Sequence, residues 1–313
     1  MKIIDEIYGE EEIDESVLIE LFNSPSLLRL KGISAQGPPQ RFWSHPVSNR
    51  YEHSIGVFML LRKKGASLEE QIAGLLHDIS HTAFSHIIDW VFGDPQKENY
   101  QDSLHSERME KSEINKILKK YGFDYERVSN FHNFLLLDNE IPSICADRLD
   151  YSLRELKLII GIEKTRQMFL ALVVINGSFA FNSISLAKEF SLDFLDRQKN
   201  HWAAEESRKK YFLFARIFKY ALEKHILVNS DFWLDDEQVL SKLVGSKDIF
   251  ILESLKLLES KNFLRDFNEE GFVLRKKLRY VDPFVFFNDN LTRLSELDKD
   301  YKQKLEEFLK NAN

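Results

Sequence analysis

Cysteine is almost missing from this chain: Cys145 is the only one in 313 residues. An internal disulfide is thereby excluded, and the composition suits a reducing cytosol. No apolar run has the length needed to span a bilayer. The opening Met1-Lys2-Ile3-Ile4-Asp5-Glu6 lacks the apolar core of a secretory leader. The expectation is a soluble cytoplasmic protein with no membrane association. Internal repeats and low-complexity tails are also missing. Positive charge is not in excess, since the net charge is −7. That disfavours a general nucleic-acid-binding role, while leaving room for a local basic pocket that takes phosphate. What remains is 43% apolar and 30% charged, enough to bury a full core in one large domain or two ordinary ones.

The densest stretch is Leu75 to Trp90, L-L-H-D-I-S-H-T-A-F-S-H-I-I-D-W. It is fed by an apolar run, Ile72 to Leu76, whose helix start is marked by Ser67 with Glu70 three residues on, a capping box. If the helix continues, His77 and His81 lie one turn apart. A second buried helix is expected over Arg50 to Leu61, with His53 in its first turn. A third carries Ile144, Leu149 and Leu153 at helical spacing, with Asp147 set inside that apolar pattern. A buried carboxylate needs a partner, which here is Arg148, Arg154 or a metal ion.

Elsewhere the signals are coarser. Residues 3–13 read as β-like around Gly9. Val17 to Phe22 is a short helix, and Ser24-Pro25 stops or restarts it. Arg41-Phe42-Trp43 suggests a short strand. Asn176-Gly177 between Leu172–Ile175 and Ser178–Phe181 predicts a β-hairpin. Helices are expected from about Leu186 to Leu227, with Phe212, Phe214, Ile217, Phe218 and Leu222 as core stripe. Helices are expected again at 236–243, 248–258 and 301–309, with a strand around 272–281. Arg275-Lys276-Lys277-Leu278-Arg279 is the strongest basic cluster. It reads as a solvent face or, more sharply, as a phosphate or subunit contact.

A lone histidine on an apolar face is usually a structural one bonded to a carbonyl. His53, His77, Asp78 and Asp147 are a set of two imidazoles and two carboxylates drawn from three apolar helices. Such groups are costly to bury unpaired, so one shared divalent ion with open positions for water explains them together. His81, His86, His105 and Asp89 are then spare polar groups near it, suited to proton transfer. Arg50 and Arg148 flank the expected ligands. Each is a phosphate clamp or a structural ion pair.

These residues carry a resemblance. Arg50-Tyr51-Glu52-His53, His77-Asp78-x-x-His81-x-x-Phe84-Ser85-His86 and Asp147-Arg148-Leu149-Asp150-Tyr151 resemble the HD-domain metal-dependent phosphohydrolases. The likeness is to the deoxynucleoside triphosphate triphosphohydrolase branch, strongly over 1–155 and loosely beyond. It implies a mainly α fold: an HD-domain helical core with a small β-hairpin and a C-terminal α+β appendage. The units expected are 1–228, with a catalytic core of about 1–160, and 229–313. It implies His53, His77, Asp78 and Asp147 as metal ligands, and His81, Asp89 and His105 in proton transfer. Arg50, His86 and Arg148 would contact phosphates, Tyr151 the sugar, and Glu155 would be an acidic sugar contact. The cofactor would be a divalent metal ion (Mn, Fe, Co, Ni, Zn or Mg). The substrate would be a (d)NTP cleaved to nucleoside and triphosphate, and the protein a homo-oligomer. The rival readings are a phosphomonoesterase or cyclic phosphodiesterase on the same site, or a nucleotide sensor with little turnover.

Overall fold

A computed structural model describes residues 1–268 and 276–312, and the chain is mostly helical. An N-terminal hairpin pairs β1 (Lys2–Asp5) with β2 (Gly9–Glu12). Helices α1 (Ser16–Phe22) and α2 (Pro25–Arg29) follow. Ser24 accepts from the Leu27 amide and Pro25 sits at the first helical position, so the Ser-Pro pair restarts the helix. Residues 40–42 form a 3-10 turn, not the strand expected at 41–43.

The site rests on α3 (Arg50–Lys63), α4 (Leu68–Leu76) and a later helix, α9. Asn49 caps α3 by accepting from the Glu52 amide, and Ser67 caps α4 by accepting from Glu70. Only half of the expected capping box forms. The Glu70 carboxylate turns outward and accepts from the Leu136 and Leu137 amides, tying a distant loop to the helix start. Helix α4 also ends a turn earlier than the sequence suggests. His77 is its C-cap, and residues 77–80 form a turn in which the His81 amide donates to the Asp78 carbonyl. The His-Asp pair therefore leaves the end of a buried helix rather than its side.

Helices α5 (Asp89–Phe92), α6 (Tyr100–Lys111), α7 (Glu113–Lys120) and α8 (Tyr125–Ser129) lead to α9 (Ala146–Ile160). Gly56 permits the close approach of α3 to α9. A Cβ there would meet Asp150 Oδ1 at 1.9 Å. After α10 (Ile162–Leu170) comes the predicted hairpin, β3 (Leu172–Ile175) and β4 (Ser178–Phe181). Its Asn176 and Gly177 both take positive φ, 51° and 74°, as a tight right-twisted hairpin requires. The helical run expected from 186 to 227 is two helices, α11 (Ile184–Arg197) and α12 (Glu205–Glu223). A π-turn over Gln198–Trp202 joins them.

Helices α13 (Asp236–Gly245), α14 (Ile249–Leu258) and α15 (Phe263–Asp266) pack on α12. Of the strand expected at 272–281, residues 272–275 lie outside the described residues, and 276–281 form no ladder. Pairing starts later, in β5 (Phe284–Phe287) and β6 (Asn290–Arg293), and α16 (Leu294–Leu297) and α17 (Lys299–Ala312) complete the chain. Strand β5 runs parallel to β4, giving a four-stranded sheet in the order β3-β4-β5-β6.

Two apolar clusters fill the molecule. One joins α1, α3, α4 and α9 to β4, α11, Val285 and Tyr301; the other joins Phe42, Phe84 and Ile87 to α12–α15. Residues from both sides of position 229 enter both clusters. Among the described residues, no helix is long and apolar enough to cross a membrane.

Candidate metal centre and active-site pocket

Four side chains expected to act together do converge. His53, in the first turn of α3, is held from behind: its Nδ1 lies 2.8 Å from Asp150 Oδ2. Asp150 is itself fully buried, bonded by Arg154 Nε at 2.8 Å and by the Tyr8 hydroxyl at 2.8 Å. Arg154 continues to Asp5 Oδ2 at 2.7 Å. His77 Nδ1 lies 2.8 Å from the Gly74 carbonyl, which can only accept, so this nitrogen carries the proton. The two Nε2 atoms are left facing one another at 3.2 Å. Asp147 Oδ1 stands 2.9 Å from the first and 3.7 Å from the second. Asp78 Oδ1 is 3.4 Å from His77 Nε2, and its Oδ2 is 4.0 Å from His53 Nε2.

This donor set fits a divalent cation. Ring nitrogens anchored on the far side by a carboxylate and a carbonyl are the usual posture of metal-binding histidines. Donor atoms of His53, His77 and Asp147 all lie within 4.8 Å of one another. Without positive charge between them, two imidazole lone pairs and two carboxylates repel. Burial works against a charged His53 ring, yet hydrogen bonds donated by the ring to Asp147 and Asp150 raise its pKa to about 10. Burial likewise opposes a charged Asp78, but the Arg50 guanidinium and the imidazoles around it hold the carboxyl far below its usual range. The cluster draws in positive charge, and a metal ion would displace the proton that otherwise sits there.

The arginines are committed to this frame. Arg50 donates to Asp78 Oδ2 at 2.8 Å and to Ser85 Oγ at 2.7 Å. Arg148 does not pair with Asp147. It donates to Asn139 and to the Ser143 carbonyl, fixing the loop before α9. Arg154 serves Asp150 and Asp5, so neither arginine weighed in the sequence is the partner of Asp147.

Around the cluster, His81 Nε2 lies 3.4 Å from Asp78 Oδ1, and the His81 and His86 rings meet edge to face at 5.0 Å. His86 Nδ1 is 3.3 Å from Asp89 Oδ2, while Asp89 Oδ1 accepts from the Tyr100 amide at the start of α6. Asp89 is thus buried behind His86 and is not among the residues lining the pocket. His105 shares its Nδ1 with Ser80 Oγ at 3.0 Å, and its Nε2 is buried with no hydrogen-bond partner. Burial pushes its pKa down to about 3, so it is neutral near pH 7.

These groups line a cavity of about 770 Å³. Also lining it, Glu155 accepts at Oε1 from Gln36 Nε2 at 2.8 Å and from Trp202 Nε1 at 2.9 Å. Burial raises the Glu155 pKa to about 7. Tyr151 stands edge-on to Trp202 at 5.3 Å. Gln36, His201 and Trp202 are pocket residues that sequence reasoning did not single out, and so are Glu98, Lys276 and Arg279. The basic run at 275–279 was the available signal for the last two. For the others, only tertiary contact reveals the role. The Tyr8–Asp150–Arg154–Asp5 support was half visible, as an acid and base at i, i+4 on α9.

The HD domain family model matches residues 50–154. The uncharacterized protein YdhJ of Bacillus subtilis is 35% identical over 97% of this chain and 94% of its own length. The metal-dependent phosphohydrolase cns2 of Cordyceps militaris is 42% identical over 153 residues, 49% of this chain and 44% of that protein. The deoxynucleoside triphosphate triphosphohydrolase SAMHD1 of Mus musculus is 31% identical over 145 residues, 39% of this chain and 22% of that one. A solved hypothetical protein from Aquifex aeolicus superposes with a TM-score of 0.68, covering 96% of this chain and 93% of that chain at 18% identity.

The HD domain match spanning the metal donor residues and the likeness to a metal-dependent phosphohydrolase identify a metal-dependent phosphohydrolase. The chain belongs to the HD domain family.

Proposed function

We propose that this phosphohydrolase acts on nucleoside triphosphates, deoxy forms included, releasing nucleoside and inorganic triphosphate. The observation that carries the reading is one pocket holding both ends of such a substrate. The same pocket is lined by the metal donor set with its basic groups and by Glu155, Gln36, Trp202 and Tyr151, the Glu155 carboxylate accepting from Gln36 and Trp202. Its volume of about 770 Å³ is in the range of small-molecule sites. The partial likeness to SAMHD1 points the same way.

In this reading His53, His77, Asp78 and Asp147 hold the ion. When bound, it supplies charge to a phosphate oxygen and acidifies water. His81 and His105 accept and return protons, and the Nε2 of His105 is left without a partner inside the protein for this exchange. Asp89 acts through His86 as a positioning residue. Arg148 and His86 orient phosphate oxygens, and Tyr151 and Glu155 take the sugar. Arg50 keeps Asp78 ionised and aimed. Water oxygen ends on the α-phosphorus, the bond to the 5′-oxygen breaks, and that oxygen leaves with a proton. Assembly as a homo-oligomer is part of the proposal, and light scattering of the purified chain checks it.

A matrix of divalent metals against nucleotides, with products separated by chromatography, tests the reaction. Nucleoside and tripolyphosphate from a dNTP are expected. Orthophosphate release from monophosphates alone, opening of cyclic nucleotides alone, or no turnover with any pair would overturn it.

A further inference from the structure

The segment 276–279 lies about two hundred residues from the histidines in sequence, yet Lys276, Lys277, Leu278 and Arg279 all line their pocket. The segment is strapped in place. Gln198 Nε2 donates to the Lys277 carbonyl at 3.0 Å, and the Asp282 amide donates to the Pro142 carbonyl at 2.8 Å. The π-turn between α11 and α12 and the loop before α9 thus hold it from two sides.

Of its three pocket-lining cations Lys277 is exposed, and the two more enclosed ones differ. Arg279 is spent on Glu98, at 2.5 Å. Burial opposes the Glu98 charge, but Arg279, His86 and Lys276 together bring its pKa down to about 2. Arg50, Arg148 and Arg154 likewise each have a carboxylate within ion-pair distance: Asp78, Asp138 and Asp150. Lys276 has none among the described residues. Its ammonium donates to the Trp202 carbonyl at 3.1 Å and to Ser207 Oγ at 3.2 Å, and it stands 3.3 Å from the centre of the Tyr211 ring. All three partners are neutral. Burial lowers its pKa to about 7. An ammonium taken out of water with no carboxylate in ion-pair distance is costly to keep charged, and an incoming anion offsets that cost. The charges that act on it most are Glu98, Arg279, Arg208 and Asp89, not the metal donors. None of its contacts, Trp202, Ser207 and Tyr211, is a metal donor.

We propose that Lys276 is a substrate-binding residue that receives a terminal phosphate of a polyphosphate chain, so that the 276–279 strap makes this pocket selective for triphosphates over monophosphates. This rests on the nucleotide-hydrolase reading and narrows it. Tyr211 and the Trp202 carbonyl hold the ammonium in place, and a phosphate oxygen replaces the weak ring contact with a charge-assisted hydrogen bond.

Calorimetric titration of the full chain with inorganic tripolyphosphate, divalent metal in excess, tests it. Lys276→Met should weaken tripolyphosphate binding at least tenfold, and Lys276→Arg should stay within about threefold of the parent. In turnover, Lys276→Met should raise KM for a nucleoside triphosphate at least tenfold and affect kcat far less. A folded Lys276→Met that binds tripolyphosphate like the parent overturns the proposal. Should that variant not fold, acylation of Lys276 in the unmodified protein, read by peptide mass spectrometry, decides the matter. Tripolyphosphate should slow it at least fivefold, and no protection would count against the assignment. Tripolyphosphate binding that depends on Lys276 in a protein that hydrolyses no nucleotide would sink the proposed function while leaving this site. Nucleotide hydrolysis with Lys276 irrelevant would do the reverse.

Discussion

His53 shows how much of a site can rest on one ring. Its Nδ1 is fixed by Asp150 and its Nε2 meets Asp147 and His77, so the side chain has a single useful orientation. Asp147 is the proposed ligand that comes from outside the α3–α4 pair, and its side chain is a third exposed. Its loss should remove a donor without opening the core. Asp147→Ala is therefore expected to lose its metal on desalting while keeping the parent's helical circular dichroism. Unchanged metal by elemental analysis would count against its role. Glu155 gives a pH signature clear of the metal donors. Burial raises its pKa to about 7 in the folded chain, above the ordinary 4.5. The folded state then binds more protons between those values, so its contribution to stability is full at low pH and falls as pH rises through about 7. Glu155→Gln keeps an Oε1 acceptor for Gln36 and Trp202 and cannot ionise. Its advantage over the parent should grow from pH 5 to pH 8 by about 2 kcal/mol. Melting curves at both ends check this, and parallel curves would refute it.

Among elements, the decisive contact is α3 against α9. The glycine at 56 lets the Asp150–Arg154 pair sit over the α3 backbone; a methyl group would overlap Asp150 Oδ1 at 1.9 Å and Arg154 Nη2 at 2.0 Å. Gly56→Ala should lower stability by about 3 kcal/mol and weaken metal binding as well, because the carboxylate behind His53 must move. A variant with parental melting temperature and metal content would show the packing to be slack. The turn after α4 is shaped from even further away. Phe84 and Ser85 take φ of 62° and 45°, uncommon for these residues, and Asp236 Oδ1 accepts from the Phe84 amide at 2.7 Å. Asp236 Oδ2 accepts from Ser34, so the start of α13 clamps two pocket segments. Helix α4 was legible through its cap and its apolar run. Its early end was not, because the turn depends on this long-range acceptor.

Over the whole molecule, one cation in the proposed site would tie together α3, α4 and α9, and none of these helices brings the others' donors by itself. A metal that binds only the folded chain adds stability in proportion to RT ln(1 + [metal]/Kd), about 2.7 kcal/mol at a hundredfold excess. Removal by chelation should lower the melting temperature by several degrees, and readdition should restore it in step with the logarithm of metal concentration. A melting temperature indifferent to metal would mean that the donor set is empty in solution.

The sequence by itself determined the chemistry and the local elements. Histidines and carboxylates inside apolar helical patterns have to find a common partner, and caps, turns and Asn-Gly act over a few residues. Hence His53, His77, Asp78 and Asp147 stood out as a candidate set, and the hairpin at 176–177 could be placed. Only the tertiary structure decided which arginine serves which acid, that Asp89 stands behind His86, and that the 276–279 strap turns inward. Those outcomes depend on which buried charges lie within about 4 Å of each other once two apolar clusters have closed, and no local pattern encodes that distance.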